Sequence, residues 1–267
     1  MKISIAPYLG SFLLAASLLS AQGQQQGQQQ PKPKSQKELE ALQKVQVAAQ
    51  QNNPDGEIQA INYVLENFVD TDYKPMLLSM GMQAASAKGD QAQLQVFGER
   101  AIEADPNNVE ARVLLAESIA GRVRENDLDK EQSLKKVDDY ANKALELLKG
   151  NPPAPAGLPE ANWPDMKKQL TSQAYDALGQ AADLRKKYPE AIQNYKTAID
   201  TQPTNSVAIA RLSKAYLDAK QYDDCISTAD KVLAMSDAPQ AVKNFAQQMK
   251  DSATKMKGSA APATAPK

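Results

Sequence analysis

Between Gln36 and Lys257 the apolar residues recur three and four apart, and Ala, Leu, Gln, Lys and Glu dominate the composition. No run alternates apolar and polar residues in the Val, Ile and Thr-rich manner of a strand. Proline punctuates this pattern at Pro54, Pro75, Pro106, Pro189, Pro203 and Pro239. Inside a helix a proline costs about 3 kcal/mol, so these positions predict where helices start or stop. Ser35 followed by Glu38 predicts a capping box at the first helix. Turns such as Asn53-Pro54-Asp55-Gly56 and Asp105-Pro106-Asn107-Asn108 are short enough to join antiparallel helix pairs. The pattern predicts an all-α chain of short helices.

The prolines also direct attention to internal repetition. Residues Ser172 to Asn205 read SQAYDALGQAADLRKKYPEAIQNYKTAIDTQPTN, 34 residues with small side chains at Gly179 and Ala191. Small residues there let two helix axes approach closely, while Tyr175, Leu178, Tyr195 and Ile199 fill the space around the crossing. The segment resembles a tetratricopeptide repeat, with Tyr175, Leu178, Gly179, Ala182, Ala191, Tyr195, Ala198 and Pro203 at the signature positions. Ser206 to Pro239 continues the register with Ile209, Leu212, Ser213, Tyr216, Cys225, Ala229 and Val232, although its proline slides to Pro239. Lys74 to Asn108 fits with one extra residue, through Met80, Gly81, Ala84, Gly89, Leu94, Ala101 and Pro106. Val109 to Lys149 fits at its ends, and the stretch from Arg122 to Leu134 is about nine residues longer than the family loop. Gln36 to Asp70 is the faintest unit, carried by Val45, Ala48, Ile58, Ile61, Val64, Leu65 and Phe68.

The resemblance implies a right-handed superhelical array, a solenoid, of about five helix pairs, grouped as residues 36–149 and 164–257. Between the groups, residues 150–163 hold four prolines and exclude a helix, which predicts a stiff extended linker whose Trp163 packs back on the array. The final helix, Pro239 to Lys257, carries Val242, Phe245, Ala246 and Met249 on one face and is expected to cap the array.

The ends read differently. Residues 1–23 place Lys2 before an apolar run densest from Phe12 to Leu19 and close on Ala21-Gln22-Gly23, the layout of a secretory signal peptide. An uncleaved N-terminal membrane anchor is the alternative. Either way the rest of the chain is expected outside the cytoplasm: periplasmic or secreted with no stable membrane span once the signal is removed, or membrane-anchored if it is kept. Residues 24–35, rich in Gln, and residues 258–267 are expected to lack fixed structure.

Composition narrows the function. The 267 residues include no His and one Cys, which excludes histidine-based nucleophilic chemistry, an intrachain disulfide and thiolate zinc sites. Lys and Arg number 31 against 32 Asp and Glu, so no global field draws nucleic acid. Asp127, Asp129 and Glu131 lack the glycine and terminal Glu of a calcium loop, and the pairs Asp138-Asp139 and Asp223-Asp224 read as solvated helix charges. No catalytic, metal or cofactor residue is assigned. Cys225 reads as a small packing residue.

By transfer from the family, the first helix of each pair would line a concave groove that holds a protein or peptide. Its wall would present Leu78 and Met82, then Glu110, Val113 and Glu117, then Gln173, Asp176 and Gln180, then Val207, Ala210 and Lys214. The first part is apolar and the middle acidic, which suits a basic segment. The Lys and Asn set that grips a C-terminal carboxylate in some relatives is missing, so such acidic peptides are not expected to bind. The expected function is an exported scaffold without enzymatic activity, with envelope assembly or secretion as its setting. A self-assembling homo-oligomer and a carboxylate-dependent hydrolase are the alternatives.

Overall fold

The computed structural model of the chain describes residues 31–155 and 158–260, and among these every regular element is a helix. The helices run in pairs: α1 (Gln36–Gln50) and α2 (Pro54–Asn67), α3 (Lys74–Lys88) and α4 (Gln91–Ala104), α5 (Val109–Arg122) and α6 (Lys130–Lys149), α7 (Trp163–Leu184) and α8 (Tyr188–Thr201), α9 (Ser206–Asp218) and α10 (Tyr222–Ala234). A longer helix, α11 (Gln240–Ala260), follows the last pair and carries on into the first residues of the expected C-terminal tail. The expected signal peptide, most of the Gln-rich tract and residues 261–267 lie outside the described residues. Among the described residues no helix is long and apolar enough to cross a membrane.

The chain divides into two compact units after Arg100, inside α4, and not at the Pro-rich segment that separates the repeat groups in sequence. In the first unit α2 packs on both α1 and α3. Ser35 accepts a hydrogen bond from the Glu38 N–H at 3.1 Å, but the second half of the expected capping box is diverted. The buried Glu38 carboxylate instead accepts from the Lys34 N–H at 2.5 Å and from Thr71 Oγ1 at 2.6 Å. Through Glu38 the two bonds together link the chain entering α1 to the turn after α2. Tyr73 Oη donates to the Pro31 carbonyl at 2.7 Å, and Lys34 pairs with Asp72 at 2.9 Å, so the end of the Gln-rich tract is seated on this unit. At the crossing of α3 and α4 the ring of Phe97 lies over Gly81, where a Cβ would come within 2.8 Å of Cδ1.

The second unit repeats that crossing. A Cβ on Gly179 of α7 would lie 2.5 Å from Cε1 of Tyr195 in α8. Ser172, buried on α7, donates to the Ala198 carbonyl at 2.8 Å and accepts from Asn205 Nδ2 at 3.0 Å. Asn205 also caps α9, its Oδ1 accepting from the Ala208 N–H at 3.0 Å. One side chain thus fixes the start of a repeat to the pair before it.

Trp163 opens α7 and is buried with Val109, Val113 and Leu170, while its Nε1 donates to the Pro152 carbonyl at 2.8 Å. Ala154 and Leu158 of the Pro-rich segment pack on the same cluster, and α5 and α6 both contact α7 across it. The segment interrupts the sequence of repeats but not their stacking. The long stretch after Arg122 becomes a seven-residue connection, residues 123–129, because its remainder extends α6 to 20 residues. Arg185, at the end of α7, then reaches Glu131 at 2.8 Å and Asp138 at 2.9 Å on that extended helix. At the far end α11 packs on α9 and α10, burying Val242, Ala246, Met249 and Ala253. Cys225 lies fully buried there with its thiol 3.6 Å from the Met249 carbonyl.

Candidate protein-binding face

The first helices of the second unit, α5, α7 and α9, are packed in order, α5 on α7 and α7 on α9, so side chains on their shared face interlock. Gln173 Nε2 on α7 donates to Glu117 Oε2 on α5 at 3.2 Å. One turn on, Asp176 receives the Arg211 guanidinium from α9 and the Gln180 amide at 3.4 Å, all on Oδ2. Lys214, a turn beyond Arg211, bridges Asp183 on α7 at 2.8 Å and Asp218 on its own helix at 2.5 Å. The result is a polar row whose rungs link α5 to α7 and α7 to α9.

Its electrostatics follow from enclosure. Burial, reinforced by the charge of Asp176, raises the Glu117 carboxyl to about 8. Burial also lifts the Asp176 carboxyl, against the pull of Arg211. For Arg211 burial works against the cation, but Asp176, Tyr195 and Glu117 outweigh it and hold the guanidinium charged. Lys214 is likewise kept charged, Asp183 and Asp218 overcoming its burial. Two carboxylate oxygens, Asp176 Oδ1 and Asp183 Oδ1, are enclosed without a hydrogen-bond partner.

The residues expected to line a groove therefore separate. Glu110, Glu117, Gln173, Gln180, Val207 and Lys214 reach the surface in part. Leu78, Met82 and Val113 are fully buried, and Ala210 is 2% exposed, so these apolar positions belong to the core. Asp176 is also 2% exposed, an internal partner of Arg211 and not a free acidic surface. Transfer by fixed repeat position misses Arg211, Asp183 and Asp218. Arg211 lies one residue beside a groove position, yet it stands 35 residues after Asp176, a repeat-length offset with opposite charge that is visible in the sequence.

The helix pairs and their small-residue crossings reproduce the repeat inferred from the 34-residue period. The chain has a tetratricopeptide-repeat fold. A family model described as the tetratricopeptide repeat protein 21 C-terminal ARM domain matches residues 166–246, which span α7 to α11. The fold is similar to that of a thermophilic tetratricopeptide-repeat protein of Thermus thermophilus, at a TM-score of 0.55 and 13% identity, covering 79% of this chain and 98% of that one. It is also similar to the MamA RS-1 ArsTM double mutant, at a TM-score of 0.51 and 14% identity, covering 82% of this chain and 97% of the other. No curated protein matches the sequence.

The repeat protein owes its fold to spacing and side-chain size, which explains how structures at such low identity share it. Helical repeats of this kind commonly serve as protein-interaction scaffolds.

Proposed function

We propose that the chain is a non-enzymatic scaffold that binds a protein or peptide along the α5–α7–α9 face. The observation that carries this reading is the row from Glu117 through Asp176 and Arg211 to Lys214, polar groups held in fixed geometry by neighbouring first helices. A pre-organised row of this kind lowers the ordering cost of binding. Its carboxylates are engaged by amides and cations, and no histidine exists to activate a nucleophile.

The layout of residues 1–23 supports export to the periplasm or exterior, and with it a role in envelope assembly or secretion. N-terminal sequencing of the protein recovered from cell fractions tests this. A start after residue 21 or 23 in an extracytoplasmic fraction agrees with cleavage; an intact N-terminus in the membrane fraction supports the anchored alternative.

The binding reading is tested by placing a photo-crosslinking residue at Gln180 or Val207 in the native cell, with exposed Gln193 on α8 as the control. A protein adduct specific to the face is expected, and identical capture at all three positions removes the assignment. Self-assembly is a second reading, favoured by Tyr63 and Val69, which are 51% and 71% exposed in the first unit. Light scattering at two concentrations separates it, as a mass that rises with concentration.

A further inference from the structure

The α5–α7–α9 row holds more anions than its own cations satisfy. Three carboxylates, on Asp176, Asp183 and Asp218, share Arg211 and Lys214, and Glu117 adds a fourth anion once it ionises near 8. Lys214 is divided between Asp183 and Asp218, Arg211 is committed to Asp176, and Glu117 is met by the neutral amide of Gln173. Asp176, whose side chain is 3% exposed, keeps one enclosed oxygen without any donor, and so does Asp183. Both oxygens are closed to solvent, so a guest cation lowers their desolvation cost through its charge and not as a direct donor.

We propose that this face takes a basic segment of a partner protein, seating one guanidinium or ammonium group at the part-exposed Glu117, within the field of the buried Asp176, and a second at Asp183. This deepens the scaffold reading and rests on it. The two acidic positions on α7 are seven residues apart, a rise of about 10 Å. An extended chain covers that distance in about three residues, so the segment carries basic residues about three apart. An acidic segment would meet uncompensated like charge. A divalent ion has no cage, since among the described residues no three carboxylate, Cys or His groups converge on one point.

A charged guest also alters Glu117. The groups facing it are Asp176 and Gln173 on α7 and Arg211 on α9, with Tyr195 of α8 adjoining the Asp176–Arg211 pair. A cation beside Glu117 favours its ionised form, so binding releases a proton and affinity rises with pH until the free carboxyl is ionised, near 8.

The test uses the full chain and a fluorescent seven-residue peptide with arginine at its first, fourth and last positions and alanine between, read by anisotropy. Saturable one-to-one binding is expected, tighter at pH 8 than at pH 6. Glu117→Gln is expected to weaken it about tenfold, the effect of losing one charge-assisted bond, while Asp165→Asn, an exposed α7 carboxylate, leaves it unchanged. Equal loss in both variants, equal binding of a glutamate counterpart, or no binding overturns the proposal. The two readings fail separately. A partner crosslinked at Gln180 through a segment without basic residues refutes the basic preference and keeps the scaffold, whereas no adduct at all removes the scaffold itself.

Discussion

The ring of Tyr195 occupies the space that any side chain on Gly179 would need, its Cε1 and Cδ1 lying 2.5 and 2.6 Å from the position of a Cβ. Phe97 and Gly81 stand in the same relation, again 16 residues apart along the chain. One repeat after Gly179 and Tyr195, the corresponding residues are Ser213 and Ala229, both fully buried. The crossing balances volume, with bulk on one helix matched by its absence on the other.

Gly179→Ser is therefore expected to destabilise the chain by about 1–3 kcal/mol through overpacking. Tyr195→Ala alone should cost about 3–5 kcal/mol by leaving a cavity. The double variant Gly179→Ser, Tyr195→Ala copies the next repeat and should cost less than the sum of its parts. Urea unfolding of the variants checks this; strict additivity would show that the two residues do not share one space.

Glu117 makes stability depend on pH. Its folded carboxyl titrates near 8 against an ordinary value of 4.5, so its contribution is fully present below pH 4.5 and is lost as pH rises towards 8. Glu117→Gln keeps an acceptor for Gln173 and removes the titration. The melting temperature of the variant relative to the parent is expected to climb between pH 5 and pH 8.5. A difference that is flat across this range contradicts the enclosure of the carboxyl.

Arg211 holds a buried carboxylate. Replacing it with Met leaves Asp176 enclosed and unpaired, an expected loss of about 3–5 kcal/mol. Adding Asp176→Leu should restore much of that loss, because an apolar pair needs no compensation. Denaturant midpoints of the single and double variants measure the coupling.

Lys220 turns the chain between α9 and α10 with φ of +61°, as Lys186 does at +62° between α7 and α8. Side chains are disfavoured in this left-handed region, whereas glycine enters it freely. Lys220→Gly is expected to stabilise the chain by about 0.5–1 kcal/mol, the relieved strain exceeding the added freedom of the unfolded chain. Calorimetry that found a lower melting temperature would refute this.

Cys225 should be chemically silent while the chain is folded. It is fully buried, and burial raises its thiol to about 11, so almost no thiolate exists at neutral pH. Reaction with a disulfide reagent is expected only at the rate of unfolding, and becomes immediate in concentrated urea. Fast labelling of the native chain would place the thiol at the surface.

The helix pairs and their crossings are legible in the sequence because they depend on local rules. Proline ends helices, Asn108 and Asn205 cap α5 and α9, and small residues such as Gly179 and Ala191 mark where axes meet. The polar row across α5, α7 and α9 is only half legible. Glu117, Gln173 and Lys214 lie on it as repeat spacing places them, but spacing is blind to depth, so it sets Leu78, Met82 and Val113 on a surface they do not reach. Likewise, a period cannot show that the Arg122 stretch would lengthen α6, or that α5 and α7 would meet across the Pro-rich segment. What the sequence by itself determined is the repeat, a property of neighbours along the chain. Which carboxylates are covered, and which cation each one meets, was decided only when α5, α7 and α9 came together, because burial and charge pairing depend on groups more than 30 residues apart.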